Sequence, residues 1–264
     1  MNKLVIISDY GTGDPAFAEV SVRLLSMVPE LTILPISTPS FSTINTGFWI
    51  SQIARSELRS SGQALADTYI FSNTAPRKDD KKAMENNRGE KLMYAKLKNG
   101  FEIIAVNSGY CFSFVKDEIE EFRFVNVSNE GSQFRSRDNY PQAVSQMIAG
   151  DNGFKGEDGD ISSIRDIPEN RIASIDGYGN IKTTVRLSQM ATYKPGEKLL
   201  VYLNGERRQV TFSDGVFNIH EGETAFAPGS SGYDDRFLEI FVRGGSAFKL
   251  FAKPRVEQEF EIKS

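Results

Sequence analysis

The segment that decides the fold of the first half reads Leu4-Val5-Ile6-Ile7-Ser8-Asp9-Tyr10-Gly11-Thr12-Gly13-Asp14-Pro15. Residues 4–8 form a short apolar run rich in β-branched residues, which is typical of a buried strand. A polar, glycine-rich turn follows. Asp14-Pro15 is typical of a helix N-cap followed by proline at the first helical position. The segment therefore predicts a strand that leads through a turn into a helix over residues 14–27.

The alternation of strand and helix continues along the first half. Strands are predicted at 32–36 and 68–72, with a helix at 45–55 between them. Such alternation implies parallel pairing with right-handed crossovers. A hairpin turning at Asn99-Gly100 and a helix over 138–149 that ends at Gly150 complete the half. We expect a Rossmann-like α/β domain with a parallel sheet over residues 1–155.

The pattern changes after residue 150. Glycines stand among Asp and Asn up to Pro168, which is typical of an interdomain linker. Short strands separated by turns then follow, at residues 171–176, 180–185, 198–203, 208–212, 238–242, 248–251 and 256–262. This spacing predicts an antiparallel β-barrel as a second domain over residues 166–264.

Composition excludes several classes of protein. The chain has 264 residues, and 31 Lys and Arg stand against 35 Asp and Glu. No strong basic field exists for nucleic acid, and no apolar run reaches the ~18 residues of a membrane span. One cysteine, Cys111, and one histidine, His220, disfavour disulfides and zinc. We expect a cytoplasmic protein without metal, cofactor, nucleic-acid partner or membrane association.

Asp9 is the first candidate site residue, because it follows a strand at the edge where open α/β sheets bind ligands. A carboxylate there can accept hydrogen bonds from two neighbouring ribose hydroxyls. The alternative is that it accepts from backbone N–H groups of its own turn. A dinucleotide fingerprint can be placed on Gly11-x-Gly13-x-x-Ala16. An NAD(P) enzyme is disfavoured, since Pro35-Ile36-Ser37-Thr38 lacks the acidic residue expected after the second strand.

Two further segments are rich in small residues. They are Ile175-Asp176-Gly177-Tyr178-Gly179-Asn180 and Pro228-Gly229-Ser230-Ser231-Gly232-Tyr233, the latter followed by Leu238-Glu239-Ile240 and Gly244-Gly245-Ser246-Ala247. Each alone is typical of a turn or a bulge. Hydroxyl residues between glycines also leave backbone N–H groups open to a carboxylate or phosphate.

Taken in this order, the motifs resemble the S-adenosyl-L-methionine hydroxide adenosyltransferase family, which also contains the fluorinase and the chlorinase. The family's opening Ser-Asp-Phe/Leu-Gly-Thr-x-Asp is similar to residues 8–14, and Pro39-Ser40-Phe41 is similar to its next motif. Its Ile-Asp-x-Phe-Gly-Asn-x-x-Thr is similar to residues 175–183. Its Gly-Ser-Ser-Gly-Tyr-Leu-Glu-Ile and Gly-Ser-Ala are similar to segments 229–240 and 245–247, apart from an insertion at 234–237.

The resemblance implies a homotrimer in which S-adenosyl-L-methionine, the substrate, lies between the N-terminal domain of one subunit and the C-terminal domain of its neighbour. Asp9 would bind the ribose, with Phe41 and Phe134 beside the ligand. The remaining implied roles go to the second half. Asp176 would meet the methionine amino group, Ser230 its carboxylate, and Tyr178, Asn180 and the backbone near Gly244 the adenine.

The chain departs from the family where the hydroxide-using members activate water. Their Asp after the third strand is replaced here by Asn73 or Thr74, with Arg77 close by, and their His is replaced by Arg135. An arginine cannot act as a general base near neutral pH. Ser136 stands where the fluorinase has a serine that donates to halide. We therefore take Ser136, Arg77, Asn73 and Thr74 as the candidate catalytic residues; Arg137 and its neighbours can instead form structural ion pairs.

Two functions remain open. The first is an enzyme that displaces methionine at ribose C5′ by water or another anion. The second is a non-catalytic module that binds adenosine or S-adenosyl-L-methionine, because the family's usual Asp and His are missing.

Overall fold

The computed structural model describes residues 1–55, 67–74, 90–128, 132–215 and 218–264. The chain divides into two compact units, Met1–Asp166 and Ile167–Ser264. Each unit is built on one seven-stranded sheet. The α/β class expected from the sequence is therefore confirmed at this level.

The sheet of the first unit is mixed. Its strands are β1 (Lys3–Ser8), β2 (Thr32–Ser37), β3 (Thr68–Asn73), β4 (Leu92–Leu97), β5 (Glu102–Val106), β6 (Ile119–Val125) and β7 (Lys155–Asp158), in the order β2-β1-β3-β5-β4-β6-β7. Strands β2, β1, β3 and β5 run parallel to one another. Each of the pairs β5-β4, β4-β6 and β6-β7 is antiparallel. The expectation of a parallel sheet is thus wrong beyond four strands. The predicted hairpin at Asn99-Gly100 is confirmed and joins β4 and β5 as an antiparallel pair, and β6 and β7 then add to β4 in antiparallel pairs.

Helices cover both faces of this sheet. They are α1 (Pro15–Met27), α2 (Thr43–Ala54), α3 (Arg135–Asp138) and α4 (Tyr140–Ala149). Residues of α1 and α4 share one core with Leu4 and Ile6, and residues of α2 share another with Val5 and Ile7. This division follows from the period of two along β1, which sends alternate side chains to opposite faces.

The ends of two helices form as their sequences predict. The Asp14 carboxylate accepts a hydrogen bond of 2.8 Å from the backbone N–H of Ala16 at the start of α1. Gly150 ends α4 with a φ of 71°. Most other residues avoid this left-handed conformation because of their Cβ atom.

The segment after α4 is more ordered than a linker. Residues of β7 pair with β6 at Arg123↔Asp158 and Val125↔Lys155. The first unit consequently extends beyond residue 155, to Asp166. The Asp and Gly content that predicted a linker reflects short turns, among them one in which the Asp160 carboxylate accepts from the N–H of Ser162 at 2.8 Å.

The second unit contains a curled sheet. Its strands are β8 (Ile172–Ile175), β9 (Ile181–Arg186), β10 (Lys198–Leu203), β11 (Glu206–Phe212), β12 (Thr224–Pro228), β13 (Phe237–Val242) and β14 (Glu261–Lys263), in the order β14-β10-β11-β12-β13-β9-β8. Strands β11 and β12 are parallel, so the sheet is not wholly antiparallel. Residues just before β14 bond across to the segment that enters β8, through Phe260 N–H to Asn170 at 3.0 Å. The two edges of the sheet thus approach one another.

One predicted strand, at residues 248–251, is wrong. These residues lie in a helical turn, α5 (Ala247–Leu250), followed by Phe251. The Ser246 hydroxyl caps the turn by accepting from the N–H of Lys249 at 3.3 Å. Ala247 and Phe251 are both fully buried, because residues four apart share one face of a helix.

Among the described ranges, every helix is too short or too polar to traverse a lipid bilayer.

Candidate functional site

The carboxyl ends of β1, β2 and β3 meet at one edge of the first sheet. In the parallel register Ser8 lies between Ser37 and Asn73. Asp9 follows Ser8, and its Oδ2 accepts a hydrogen bond of 3.0 Å from the backbone N–H of Phe41. Phe41 has a φ of 64°, in the left-handed region that costs a non-glycine residue energy. Asp9 therefore holds a strained loop after β2 and not only its own turn.

Asn73 and Thr74, the two alternatives at the end of β3, have different surroundings. Thr74 is fully buried. Its hydroxyl lies 2.7 Å from that of Thr46 on α2, and its carbonyl accepts from Ser108 at 2.6 Å. The first bond joins the end of β3 to α2, and the second joins it to the loop after β5. Asn73 instead lies beside the Tyr10 phenol and lowers the pKa of that phenol.

Four polar side chains gather here, on Ser8, Tyr10, Asn73 and Ser136, and we call them the N-terminal polar cluster. Burial raises the pKa of the Tyr10 phenol to about 12, although the side chains of Asn73, Ser136 and Ser8 partly offset it. Ser8 is fully buried and Ser136 nearly so. Within the described residues, neither the Ser8 nor the Tyr10 hydroxyl has a partner that meets hydrogen-bond geometry.

Aromatic packing fixes the position of Tyr10. Its ring meets the Phe134 ring edge-on, with centroids 6.3 Å apart at 85°. It is tilted against Phe17 on α1 at 6.4 Å. The Tyr10 ring is thus held in place by apolar contacts.

The arginines near this edge have separate roles. Arg137 pairs with Asp138 at 2.7 Å and with Glu19 at 2.8 Å, so structural ion pairing is what the structure shows for it. Burial raises the pKa of the Tyr140 phenol, and the positive charge of Arg135 partly offsets this rise. Arg77 lies outside the described residues.

In the second unit, Asp176 organises the turn between β8 and β9. Its Oδ1 accepts from the backbone N–H groups of Tyr178 and Asn180, both at 3.0 Å. Its Oδ2 accepts from the side-chain amide of Asn180, also at 3.0 Å. A carboxylate offers about four acceptor positions, so one position remains beyond these three bonds.

Asp176 also adjoins a nearly buried ion pair. Lys182 Nζ lies 2.9 Å from Glu239 Oε2 and 3.9 Å from Asp176 Oδ2. Only 17% of the Lys182 side chain and 10% of the Glu239 side chain are exposed. A Cβ atom at Gly229 would come within 2.7 Å of the Glu239 carboxylate. Glycine is therefore needed before Ser230, and the segment that carries Ser230 packs against this pair.

A concave pocket of about 620 Å³ opens beside these groups. Tyr178, Asn180 and Gly244 all line it, together with Glu239 and Ser246. Tyr178 is 83% exposed, which leaves its ring available for stacking. The motif at 176–180 and the motif at 244–247, which are remote in sequence, thus form one surface.

Close backbone contact joins those two motifs. Gly179 has a φ of 85°, and a Cβ atom there would collide with the Ser246 hydroxyl. The carbonyl of Gly179 accepts from the N–H of Phe248 at 2.8 Å. These contacts explain why glycine stands between Tyr178 and Asn180.

Metal binding and dinucleotide binding have little support among the described residues. No group of three or more His, Cys, Asp or Glu side chains there is arranged to hold a metal ion. At the start of α1, where a dinucleotide phosphate would bind, the Asp14 carboxylate already accepts from Ala16. A second negative charge at that position would be repelled.

No protein-family model and no curated protein matches the chain. Solved structures do match it. An uncharacterized conserved protein from Thermotoga maritima has a TM-score of 0.71 at 17% identity, over 99% of this chain and 100% of that one. A conserved hypothetical protein from Thermus thermophilus has a TM-score of 0.66 at 16% identity, over 100% of this chain and 99% of that one. At such identities the likeness shows the fold alone.

Sequence reasoning did not select several residues that lie in these sites. Tyr10 and Ser8 flank Asp9 and were treated only as parts of its motif. Lys182, Glu239 and Ser246 were similarly treated as parts of strands or turns. The available signal was their position on either side of Asp9, at the end of β1 and in the turn that follows it.

Proposed function

We propose that the chain binds S-adenosyl-L-methionine and displaces methionine from ribose C5′, with water or another small anion as the nucleophile. The pocket of the second unit carries this proposal. One cavity of about 620 Å³ is lined by the three residues that the resemblance assigns to adenine, which are Tyr178, Asn180 and Gly244. A cavity of this size accommodates a nucleoside.

The chemistry of the pocket suits a purine. The exposed Tyr178 ring offers a face on which a base can stack. An amide side chain can donate to and accept from the edge of adenine. The Asn180 amide uses one of its donor positions on Asp176, which fixes its orientation and leaves its other positions for the base.

Both units contain polar groups that match the polar ends of the substrate. The remaining acceptor position of Asp176 suits the methionine ammonium, and Ser230 lies on an exposed loop beside Glu239 and suits the carboxylate. In the first unit Asp9 suits the ribose hydroxyls, and the strained Phe41 loop that it holds suits a contact with the sugar.

The reaction needs no covalent intermediate on the protein. The nucleophile forms a bond to C5′ while the C5′–S bond breaks, and the electron pair of that bond neutralises the sulfonium to give methionine. With water as nucleophile, one proton is also released. Positioning and exclusion of bulk water account for the acceleration.

The proposal includes the assembly implied by the resemblance. We propose a cytoplasmic homotrimer of chains with a Rossmann-like and a barrel-like unit, in which the substrate lies between the first unit of one copy and the second unit of another. The small-molecule substrate is the partner, and no further cofactor is needed.

One observation favours binding without turnover. Asn73, Thr74 and Arg135 occupy the positions of the water-activating residues, and none of them is a base near neutral pH. Thr74 is bonded to Thr46 and Ser108, so it is occupied in packing β3 against α2. A module that only binds the nucleoside is therefore the second candidate function.

Calorimetry and product analysis separate these functions. The wild-type chain is titrated with S-adenosyl-L-methionine and then incubated with it, with and without chloride. Adenosine indicates hydrolysis, a chlorinated nucleoside indicates halide transfer, and binding without product indicates the module. Absence of binding overturns the proposal.

Asp9→Asn tests the ribose contact, and Asp14→Asn is its matched control because asparagine also caps helices. We expect Asp9→Asn to weaken binding about tenfold or more, since it removes a charge-assisted hydrogen bond. Asp14→Asn should bind like the wild type. Equal affinities for all three proteins contradict the role of Asp9.

A further inference from the structure

A lysine lies beside Asp176, the residue assigned to the substrate ammonium. Lys182 Nζ is 2.9 Å from Glu239 Oε2 and 3.9 Å from Asp176 Oδ2. The second distance is too long for a hydrogen bond, so within the described part of the chain Glu239 alone accepts one from Nζ. An ammonium has three N–H donors. Two donors of this largely buried group are therefore open to a ligand.

The remaining acceptor position of Asp176 is on the oxygen nearest this lysine. Each carboxylate oxygen accepts about two hydrogen bonds. Oδ1 already accepts from the N–H groups of Tyr178 and Asn180, and Oδ2 accepts from the side-chain amide of Asn180. The position left for a ligand is thus on Oδ2, which lies 3.9 Å from Lys182 Nζ. A ligand ammonium bound there lies close to a second positive charge.

Glu239 holds Lys182 away from Asp176 and next to the Ser230 loop. The Glu239 carboxylate binds Nζ on one side and packs against Gly229 on the other, where a Cβ atom would come within 2.7 Å of it. Ser230 follows Gly229 and is exposed. The loop assigned to the substrate carboxylate and the Lys182 ammonium therefore adjoin the same glutamate.

Charge then distinguishes between two kinds of ligand. Asp176 attracts a plain amine, but Lys182 repels it. An α-amino acid head group carries an ammonium and a carboxylate on one carbon atom, so it can pair with both side chains at once. Its carboxylate also accepts from the open N–H donors of Lys182, and hydrogen bonds between charged groups are stronger than neutral ones.

We propose that Lys182 is a specificity-determining residue, which binds the carboxylate of an α-amino acid head group and makes the site reject the corresponding amine. Glu239 is a positioning residue that holds Lys182 in place. The inference rests on the proposed function, and it narrows the substrate class to sulfonium nucleosides that keep the α-carboxylate. Lys182 occupies one of the two unspecified positions between Asn180 and Thr183 in the motif, so the motif itself does not assign it.

The test compares the affinity for S-adenosyl-L-methionine with that for its decarboxylated form, in which hydrogen replaces the carboxylate. Calorimetry is performed on the wild type, on Glu239→Gln, and on Glu239→Gln combined with Lys182→Met. The two variants are matched, because both lack the Glu239 charge and only the second lacks the lysine. The ratio of the two affinities is the readout, since a general disturbance of the pocket weakens both ligands alike.

The wild type should prefer S-adenosyl-L-methionine to the amine about tenfold or more, as one charged hydrogen bond does. Glu239→Gln should keep this preference, because Lys182 is still present. The variant that also carries Lys182→Met should lose most of it. If Glu239→Gln does not fold, the wild type is compared with Lys182→Met/Glu239→Leu, in which apolar side chains replace the pair.

Two results overturn the inference while the proposed function stands. Equal binding of both ligands by the wild type shows that the site does not recognise the carboxylate. A preference that persists without Lys182 shows that another group, such as Ser230, holds the carboxylate and that the lysine has only a structural role.

If neither nucleoside binds to the wild type, the proposed function fails and the head group is tested by itself. Saturation-transfer NMR then measures binding of L-methionine and of the amine that lacks its carboxylate. Binding of L-methionine that is kept in Glu239→Gln and lost in the double variant supports the role of Lys182. Absence of L-methionine binding to the wild type, or equal binding by both variants, overturns it.

Discussion

The polar groups of the two units are arranged in opposite ways. In the second unit, Asp176 accepts from the backbone N–H groups of two residues of its own turn, and Lys182 donates to Glu239 at 2.9 Å. In the first unit, Ser8 and Tyr10 have buried hydroxyls for which the described part of the chain supplies no partner in hydrogen-bond geometry. The polar groups of the first arrangement are satisfied within the protein, whereas an unsatisfied buried hydroxyl of the second lowers the stability of the fold.

The two regions therefore suit different kinds of binding. A surface that must recognise a fixed molecule benefits from groups that are already oriented, because less entropy is lost on binding. A cluster that must hold a reacting group benefits from donors that are not satisfied by the protein itself. Substitutions in the two regions should therefore change stability in opposite directions.

The largest expected effect is at the ion pair of the second unit. Glu239→Gln leaves Lys182 with its charge in a nearly buried position, and removing one partner of such a pair costs about 3–5 kcal/mol. Because 17% of the Lys182 side chain remains exposed, we expect about 2–4 kcal/mol. Urea denaturation measures it. Glu261→Gln, at the exposed pair with Lys263, is the control and should leave the midpoint unchanged.

A double variant sharpens this test. Lys182→Met with Glu239→Leu removes both charges, and apolar replacements of a buried pair are often neutral or stabilising. Most of the stability lost in Glu239→Gln should therefore return. A double variant as unstable as the single one shows that shape, and not the unpaired charge, determines the loss.

The next effect concerns the close packing of Gly229. Its Cα faces the Glu239 carboxylate, and the Cβ of an alanine would come within 2.7 Å of it. We expect Gly229→Ala to lower the free energy of unfolding by about 1–3 kcal/mol, as overpacking does. Gly13→Ala is the control, since nothing lies within 4 Å of its Cβ position. Equal melting temperatures for both variants contradict the close contact.

Local pattern was enough to predict most elements of the first unit. Apolar runs and the Asp14-Pro15 cap predicted β1 and α1 almost to the residue. The hairpin of β4 and β5 was also predicted, from Asn99-Gly100. The order of the strands was less accessible, because β6 pairs with β4, and β7 with β6, through contacts that are distant in sequence and that no short segment encodes. The turn α5 was missed for a related reason. Its apolar residues fit a strand as well as a helix, and only the Ser246 cap distinguishes them.

The candidate site shows the same limit. The motif around Asp176 indicated a polar turn, and the structure adds that Tyr178, Asn180 and Gly244 line one pocket. Sequence could not choose between Asn73 and Thr74, because the choice depends on which face of β3 each one occupies. It also gave no sign that the Tyr10 phenol is buried between two aromatic rings, since burial is a property of the folded chain.

Removing a buried hydroxyl of the first unit should have the opposite effect on stability to breaking the ion pair. Tyr10→Phe removes an unsatisfied donor and keeps the ring between Phe17 and Phe134. We expect the free energy of unfolding at pH 7 to stay equal or to rise by up to about 1 kcal/mol. Tyr94→Phe is the contrast, because it loses a hydrogen bond of 2.6 Å to Glu102 and should be destabilised.

The pH dependence tests the same phenol. Its pKa is raised to about 12 by burial, so the unfolded chain releases this proton first, near pH 10. The stability contributed by the protonated phenol is complete below about pH 10 and is lost as the pH rises toward 12. Wild type should therefore lose stability faster than Tyr10→Phe in that range. Parallel curves for the two proteins contradict a buried Tyr10 hydroxyl.

The smallest effect is expected at Arg137, whose guanidinium lies 5.3 Å from the centre of the Phe134 ring. Hydrogen bonds from Arg137 and Ser132 lower the pKa of Asp138 to about 2, so this pairing persists above about pH 4 and weakens as the pH falls toward 2. Arg137 is 41% exposed and Asp138 37%, and water and salt screen such pairs. Arg137→Gln should leave the urea midpoint at pH 7 unchanged within error and slightly flatten its fall in acid. A clear fall of the urea midpoint at pH 7 in Arg137→Gln contradicts the screening of this surface pair.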